Sequence, residues 1–160
     1  MRIGYALKLM ISRSENMRRV RGKDTGPELR VRRVLHRAGY RFRLHRRDLP
    51  GCPDIVLPKY RLAVFVNGCF WHGHDGCKRA ALPHTRHDFW AAKIAGNKAR
   101  DRAAIEALGA LGWHVVTLWQ CRLKDEPSIL DSVAGAIRNG GCDAEAHAGG
   151  QSGDIAAQAD

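Results

Sequence analysis

Residues 50–72, PGCPDIVLPKYRLAVFVNGCFWH, contain the strand pair around which the rest of the chain is predicted to fold. Two apolar runs, residues 54–57 and 62–66, are separated by the short segment PKYR, whose proline favours a turn. Short apolar runs on either side of such a segment are typical of a β-hairpin. We therefore predict two buried antiparallel strands, with PGCP at residues 50–53 as a tight turn before them.

The register of this hairpin places Asp54 near the end of the second strand. In a symmetrical hairpin the numbers of paired residues sum to 119, so Asp54 lies opposite Phe65. Val66 and Asn67 then lie within about 5–8 Å of the Asp54 carboxylate. A carboxylate, a carbonyl and a polar side chain at one sheet edge suit a hard cation such as Mg²⁺, which can assist phosphodiester hydrolysis. The alternative is that Asp54 only begins a strand, because aspartate is common at turns.

The flanking segments predict helices and further strands. Thr25 is placed as the N-cap of a helix with Glu28 at the capping-box position, and Gly39 ends that helix. Apolar side chains alternate with arginines over residues 40–44, which predicts a half-buried strand. Further along we predict a helix at 87–111, a strand at 114–119 and a helix at 127–138. The order α-β-β-β-α-β-α predicts an α/β fold with a mixed central sheet flanked by helices.

Basic residues are concentrated at the start of the chain. The 160 residues carry a net charge of +11, but the first 61 residues hold 17 Lys and Arg against 5 Asp and Glu. A basic excess in one part of a chain indicates a polyanionic partner such as DNA. We predict three segments: a mobile DNA-binding arm (1–24) whose Arg18 and Arg19 lie along phosphates, a folded domain (25–138), and a disordered Gly/Ala-rich acidic tail (139–160).

The composition also indicates the cellular compartment in which the protein works. No apolar run approaches the ~20 residues that a membrane span needs, and the N-terminal residues do not form an export signal. The five cysteines are an odd number, which argues against a disulfide framework and leaves metal ligation or burial. We therefore expect a soluble, cytoplasmic protein.

Cysteine and histidine side chains with metal-ligand spacing occur in the loop after the hairpin and after the last predicted strand: Cys69, His74, Cys77 and Cys121. Three thiolates and an imidazole would complete a closed structural Zn²⁺ site that ties the loop to the strand. The alternatives are that the cysteines are buried apolar side chains, or that His72 or His84 is a ligand instead.

The same loop holds adjacent aromatic and acid–base side chains. Phe70 and Trp71 either pack into the core or form an apolar wedge for the base stack of DNA. His72 lies near the Asp54 edge, where an imidazole suits general acid–base catalysis, although a structural histidine is the alternative. Three side chains on the long predicted helix share one face by their spacing and are expected to meet this loop: Trp90, Asn97 and Asp101. We expect Asp101 to orient His72, and Trp90 and Asn97 to contact DNA.

Taken together, these motifs resemble those of a known family. They are R-S-x-N-M (13–17), P-G-C-P-D (50–54), F-x-x-G-C-F-W-H (65–72), R-x-x-F-W-x-x-K-I-x-x-N-x-x-R-D (86–101), G-W (112–113) and W-x-C (119–121). In this order and spacing the chain strongly resembles the very-short-patch repair (Vsr) DNA mismatch endonucleases over residues 12–124.

The resemblance implies a restriction-endonuclease-like fold and Mg²⁺-dependent nicking of one strand, 5′ to the thymine of a T·G mismatch that arises when 5-methylcytosine deaminates. Matched by position, the catalytic and Mg²⁺-binding residues are Asp54, the Val66 carbonyl, His72, its supporting acid Asp101, and Glu28. Well-known members have Thr-His where this chain has Val66-Asn67, so an asparagine, which does not titrate, occupies that catalytic position.

The resemblance also covers the zinc site and the DNA contacts. The matched zinc ligands are Cys69, His74, Cys77 and Cys121, and the matched intercalating residues are Met17, Phe70, Trp71 and Trp90. The spacing from His74 to Cys77 is one residue longer than in familiar members, through Gly76. The implied substrate is double-stranded DNA with a T·G mismatch; the implied partners are mismatch-repair proteins and a DNA cytosine methyltransferase, for a monomer with no membrane contact.

Two other functions remain open from the sequence. A nuclease of the same fold could cleave a different DNA, branched or unmethylated. This alternative stays open because Val66-Asn67 departs from the Thr-His pair of well-known members. A zinc-stabilised DNA-binding module that cuts nothing is the other. Binding alone does not need several acids near phosphates, which argues against it.

Overall fold

The computed structural model describes residues 22–145, which form a four-stranded sheet with helices on both faces. The helices are α1 (Gly26–Arg37), α2 (His87–Ala110) and α3 (Glu126–Glu145). The strands are β1 (Arg43–Leu44), β2 (Ile55–Leu57), β3 (Leu62–Asn67) and β4 (His114–Trp119). The predicted order of elements and the mixed sheet flanked by helices are confirmed. Most of the predicted arm and tail, residues 1–21 and 146–160, lies outside this description.

The strands lie side by side in the order β1-β2-β3-β4. The first two pairs are antiparallel, and β3 and β4 run parallel. In the hairpin Ile55 pairs with Val64 and Leu57 with Leu62, which confirms the predicted symmetrical register. Because β3 and β4 are parallel, their C-terminal ends meet at one edge of the sheet, where Asn67 pairs with Trp119.

Alternate side chains of the hairpin enter two apolar layers, one on each face of the sheet. The layer against α1 and α3 contains Ile55, Leu57, Leu62 and Val64. The other layer contains Val56 and Ala63 together with Leu108 of α2. Coverage of both faces explains why these strands are apolar throughout. A slip of one residue would move every side chain to the opposite layer, so the packing fixes the register.

Helix α1 begins with the capping box that the sequence predicts. The Glu28 N–H donates to the Thr25 hydroxyl, and the Thr25 N–H donates to the Glu28 carboxylate. Val31 and Leu35 on the buried face pack into the first apolar layer. Gly39, with a φ of 87°, lets the chain turn back after the helix. The position of α1 therefore follows from local sequence alone.

Strand β1 is shorter than predicted. Only Arg43–Leu44 pairs with β2, and both side chains are exposed, so the expected half-buried strand over residues 40–44 is wrong. Tyr40 and Phe42 do pack against the core, but from irregular backbone. The strand ends because His45 has a φ of 46°, which takes the chain out of the extended region.

Helix α3 is longer than predicted. It continues to Glu145, past the expected end at Arg138, so the first part of the predicted disordered tail is helical. The added turns lie against the start of β4, where a Cβ on the buried Gly140 would be 2.4 Å from the His114 ring. A contact between residues distant in sequence therefore accompanies the longer helix.

Arg61 fastens the hairpin turn to the end of α2. Its Nε donates to the Gly112 carbonyl at 2.9 Å and its Nη2 to the Leu111 carbonyl at 2.6 Å. Its own carbonyl accepts a hydrogen bond from the His114 N–H at 2.8 Å. One residue thus joins the hairpin, α2 and β4, and its charge opposes the negative end of the α2 dipole.

Helix α2 is long but lightly buried. Of its 24 residues, only Ile94 and Leu108 are buried. Within residues 22–145, no helix combines the length and the apolar character that crossing a bilayer requires. Much of the α2 surface is therefore available to the loops and to ligands.

We predict that Gly140→Ala destabilises the protein by about 1–3 kcal/mol, because the added methyl would overlap the His114 ring in a packed interior. Gly135→Ala is the matched control, since it lies in the same helix and a Cβ there meets only Arg138 Nη2 at 3.9 Å. Both changes gain similar helix propensity, about 1 kcal/mol, so their difference isolates the overlap. Urea unfolding followed by circular dichroism measures both; equal midpoints would contradict the prediction.

Candidate active site and metal centre

A cavity of about 910 Å³ opens at the end of β3, between the start of α1 and the middle of α2. Six of the predicted catalytic and DNA-contacting residues line it: Glu28, Asp54, Asn67, Trp71, His72 and Asp101. The basic side chains of Lys23, Arg47 and Arg100 line the same cavity. Acids, an imidazole and cations suited to phosphate oxygens therefore meet in one space.

Asp54 lies directly before β2 and is held by the backbone of β3. Its Oδ2 accepts a hydrogen bond from the Val66 N–H at 2.8 Å, which confirms the predicted proximity of these residues. Burial raises the pKa of the Asp54 carboxyl, the Val66 N–H opposes this, and the nearby Glu28 raises the pKa further. A partly desolvated carboxylate beside a second acid is stabilised by a bound cation.

Glu28 lines the same cavity, but protein groups occupy both of its carboxylate oxygens. Oε1 accepts a hydrogen bond from the Thr25 hydroxyl at 2.8 Å, and Oε2 accepts one from Arg32 Nη2 at 2.9 Å. The residue is 3% exposed. The Glu28 carboxylate is therefore engaged in capping α1 and in pairing with Arg32. Glu28 acts on the site through the negative charge that it places near Asp54.

A second group of potential metal ligands surrounds Arg32. One ligand atom from each of Asp24, Glu28 and His45 lies within 4.8 Å of the others. The Arg32 guanidinium contacts Asp24 Oδ1 at 2.5 Å, Glu28 Oε2 at 2.9 Å and His45 Nε2 at 3.0 Å. The guanidinium supplies the positive charge that a metal would bring, so we assign no metal here.

His72 and Asp101 form the pair that the sequence predicts. His72 Nδ1 and Asp101 Oδ2 are 2.6 Å apart. The two side chains are 30% and 34% exposed, so both are open to the cavity. His72 Nε2 has no hydrogen-bond partner among the described residues. A carboxylate that fixes one ring nitrogen while the other is left for a ligand is the arrangement of an oriented general base.

Asn97 holds the aromatic loop against α2. Its Nδ2 donates to the Trp71 carbonyl at 2.7 Å, and its Oδ1 accepts a hydrogen bond from Arg100. Both ends of the amide are therefore engaged. The predicted face of α2 does meet the loop, and Asn97 binds the loop backbone.

Two glycines let the site loops approach α2. Gly73 has a φ of 57°, and a Cβ there would lie 2.6 Å from Ile94. Gly51, in the turn before Asp54, has a φ of 72°, and a Cβ there would lie 2.6 Å from Ala104. The α2 residues that meet the loops recur at helical spacing: Ile94, Asn97, Asp101 and Ala104.

Four aromatic side chains form a cluster outside both apolar layers. Phe70, Trp71 and Trp90 contact one another edge-to-face, with ring centroids 5.3–6.0 Å apart. Phe89 packs on Trp90 at 5.2 Å and is 46% exposed. The other three are half-buried. Phe70 and Trp71 belong to neither apolar layer, so the alternative that they pack in the core does not hold. The cluster instead presents an apolar surface.

The predicted zinc ligands lie together at the other end of the aromatic loop. One ligand atom from each of Cys69, His74, Cys77 and Cys121 lies within 4.8 Å of every other. Burial raises the pKa of the Cys69 thiol to about 11, so its thiolate needs a neighbouring cation. The His74 ring stacks on Trp119 with centroids 4.2 Å apart. Three sulfurs and one nitrogen at this separation fit a tetrahedral metal ion.

The rival ligands do not join this cluster. His72 is engaged by Asp101, and His84 is not among the clustered side chains. Gly76 accommodates the extra residue between His74 and Cys77, because its φ of 68° is open to glycine at little cost. The longer spacing is therefore compatible with the four-ligand set.

Of the basic residues of the cavity, Lys23 belongs to the predicted DNA-binding arm, whereas no site role was predicted for Arg47 or for Arg100. Arg100 follows Asn97 by three positions, so helical spacing was the signal that could have found it. Arg47 lies in an irregular loop, where no periodicity indicates the direction of a side chain. The predicted DNA contacts Met17, Arg18 and Arg19 lie outside the described residues.

Comparison with known proteins gives the relatives of the chain. The family model described as DNA mismatch endonuclease Vsr matches residues 10–79. The chain is 54% identical over 123 residues to Type II nicking enzyme V.XorIIP of Xanthomonas oryzae pv. oryzae, covering 77% of this chain and 87% of the relative. It is 42% identical over 122 residues to DNA mismatch endonuclease Vsr of Escherichia coli, covering 76% and 78%. It is 40% identical over 126 residues to Type II nicking enzyme V.NmeAIP of Neisseria meningitidis, covering 79% and 89%.

We predict that Asp54→Asn stabilises the protein at neutral pH in Mg²⁺-free buffer. The pKa of Asp54 is raised in the folded state, so folding favours its protonated form. That contribution is present at low pH and is lost as pH rises through the folded-state pKa, whereas asparagine stays neutral. The melting temperature of the variant should therefore exceed that of the wild type at pH 8 and approach it as pH falls to about 4, near the unfolded-state pKa. A wild type that is more stable at pH 8 would contradict the prediction.

Proposed function

Because this chain belongs to the DNA mismatch endonuclease Vsr family, we propose that it nicks one strand of double-stranded DNA 5′ to the thymine of a T·G mismatch, in a Mg²⁺-dependent reaction. Endonuclease activity on DNA follows from the family; the mismatch and the metal are the proposal. The observation that carries it is the meeting of Asp54, the His72–Asp101 pair and the aromatic loop in one cavity. The mismatch would arise from deamination of 5-methylcytosine.

Asp54 and the Val66 carbonyl are the groups that would hold Mg²⁺. The oxygen chemistry fits a hard cation, and the burial of Asp54 makes a neighbouring positive charge favourable. Bound there, the ion supplies Lewis acidity toward the phosphate and a more acidic water. Glu28 adds negative charge at the same edge while its oxygens stay bound to Thr25 and Arg32.

His72 is proposed as the general base. In the tautomer with Nδ1–H donated to Asp101, Nε2 carries a lone pair and can accept a proton from the attacking water. The water oxygen then bonds to phosphorus, the bond from phosphorus to the 3′ oxygen breaks, and that oxygen takes a proton from solvent. Asp101 stabilises the imidazolium that forms. Lys23, Arg47 and Arg100 provide cations for the phosphate oxygens.

The aromatic cluster is proposed as the mismatch reader. Apolar side chains that enter between base steps unstack and bend a duplex, and a mispaired step resists this less than a matched one. Phe70, Trp71 and Trp90 are already packed edge-to-face, so little ordering is needed when they insert. Met17, from the arm outside the described residues, is proposed to join them.

We assign the four-ligand cluster to structural Zn²⁺ and the domain to the restriction-endonuclease-like fold. The proposed ion ties Cys69, at the start of the aromatic loop, to Cys121 after β4. The fold assignment is supported by a mixed sheet between helices with an acid at its edge. Mismatch-repair proteins and a DNA cytosine methyltransferase as partners, and a monomeric state, stay predictions.

A nuclease acting on a different DNA is the second candidate. It rests on Asn67, which lines the cavity at 8% exposure and cannot exchange a proton as a histidine would. A non-catalytic binding module is set aside, because the relatives are named as endonucleases or nicking enzymes.

The test compares nicking of end-labelled duplexes that carry a T·G pair, no mismatch, or a branch, each with Mg²⁺ and with Mg²⁺ omitted. We expect cleavage of the T·G strand only, 5′ to the thymine, and only with Mg²⁺. Asp54→Ala should abolish cleavage and retain DNA binding, whereas Asp131→Ala, an exposed acid on α3, should leave cleavage unchanged. Cleavage of branched duplex alone favours the second candidate, and full activity of Asp54→Ala removes that residue from the mechanism.

The His72–Asp101 pair gives a separate prediction. His72→Ala should lower kcat by about 10²–10⁴, the usual contribution of general acid–base catalysis. Asp101→Asn should lower kcat less, because Asp101 acts through His72. The double variant should be no slower than His72→Ala, since residues that act as a unit are not additive. Independent, multiplying losses would mean that Asp101 has a role apart from His72.

A further inference from the structure

A second, smaller pocket adjoins the catalytic cavity on the side of the metal cluster. It has a volume of about 350 Å³ and lies between the start of α1, the segment after Cys77 and the turn after β4. Pro27 and Gln120 line both this pocket and the catalytic cavity. The two spaces are therefore neighbours along one surface of the molecule. We call the smaller one the basic pocket.

Three cationic side chains from separate parts of the chain line the basic pocket: Arg30, Arg79 and Lys124. Arg30 Nη2 donates to the Lys124 carbonyl, which holds the guanidinium at the pocket and leaves its other N–H groups for a ligand. Among residues 22–145, no acidic residue lines the pocket.

These cations differ from others on the same surface because no described residue pairs with them as an acid. Arg32 and Arg37, also on α1, form ion pairs with Glu28 and Glu126. In the part of the chain that the structure describes, no carboxylate lies within ion-pair distance of Arg30, Arg79 or Lys124. Like charges placed around one pocket repel one another unless an anion binds between them.

The first turn of α1 adds to the same preference. Gly26, the first residue of this 12-residue helix, lines the pocket. The N-terminal end of a helix carries partial positive charge, which favours phosphate. The cations and the helix end thus favour the same ligand chemistry, a phosphate group.

We propose that the basic pocket binds a backbone phosphate of the DNA whose neighbouring phosphodiester lies in the catalytic cavity. This inference rests on the proposed function, since it takes the bound anion to be part of the DNA substrate. The shared wall at Pro27 and Gln120 supports it, because one strand can follow the surface from one space to the other. Phosphate contacts of this kind set the register of the duplex without reading its sequence.

A competing explanation is that these cations serve the metal cluster. Cys121 lines the basic pocket, and three thiolates around one Zn²⁺ leave a net charge of −1. In that case the loss of cations would weaken metal binding and leave DNA binding unchanged.

The test uses the full chain with Arg79→Gln and Lys124→Gln combined, two exposed side chains whose loss opens no cavity. Arg138→Gln is the matched control, because it removes an exposed cation on α3 that lines neither space. Binding to a T·G duplex is measured across a range of salt concentrations. Zinc content is measured on the same samples, with about one ion per chain expected.

We expect the negative slope of log K against log [salt] to become shallower by about 0.9 in the double variant, because one phosphate contact is lost. This loss corresponds to an affinity for the duplex about fourfold weaker at ~0.2 M salt. The control should keep at least most of the wild-type slope, and zinc content should not change. An unchanged slope with reduced zinc would overturn the proposal in favour of the metal cluster. An unchanged slope together with loss of binding to inorganic phosphate would overturn it in favour of a free-anion site.

The result is separable from the proposed function. A wild type that nicks the T·G duplex, combined with an unaltered slope in the double variant, removes the phosphate site and keeps the mismatch nuclease. A shallower slope in the double variant, combined with a wild type that nicks no T·G duplex, keeps the phosphate site and removes the mismatch nuclease.

Discussion

The His72–Asp101 pair and the aromatic loop depend on one face of α2. Asp101 fixes His72, Asn97 fixes the backbone of Trp71, and two glycine-bearing loops lie against the same face. The helix itself buries only two side chains, and Arg61 holds its C-terminal end to the hairpin. The geometry needed for hydrolysis is therefore maintained by contacts between loops and helix more than by the apolar layers.

The chain separates two kinds of metal ligand over a short distance in sequence. The proposed oxygen ligands are Asp54 and the Val66 carbonyl, whereas the proposed sulfur and nitrogen ligands begin at Cys69. Hard cations prefer the first set and Zn²⁺ the second, so each proposed ion is directed by ligand chemistry. The aromatic residues between them are held on one side by the catalytic edge and on the other by the metal cluster.

The features that sequence predicted are those with local or periodic causes. The hairpin register followed from apolar runs packed on both faces, α1 from its capping box, and the His72–Asp101 contact from helical spacing. The features that it missed depend on contacts between distant residues. The left-handed backbone at His45 ended β1 early, and the fit of Gly140 on His114 accompanied the longer α3.

The cations were missed for the same reason. Arg47 lies in a turn and Arg79 in a single 3₁₀ turn, both too short for a periodic pattern, and their grouping with residues of α1 and α2 appears only when the chain is folded. The excess of basic residues in the first part of the chain indicated a polyanionic partner, but it could not show where on the surface phosphate groups would bind.

The sparse burial of α2 has a consequence for how the protein responds to heat and to DNA. A helix with two buried side chains opens locally more readily than the sheet beneath it, so its amide protons should exchange with deuterium before those of β3. Since α2 orients the imidazole and the aromatic loop, this local opening would inactivate the enzyme well below the global melting temperature. A bound duplex would slow the exchange, which makes these amides a spectroscopic reporter of engagement that needs no cleavage.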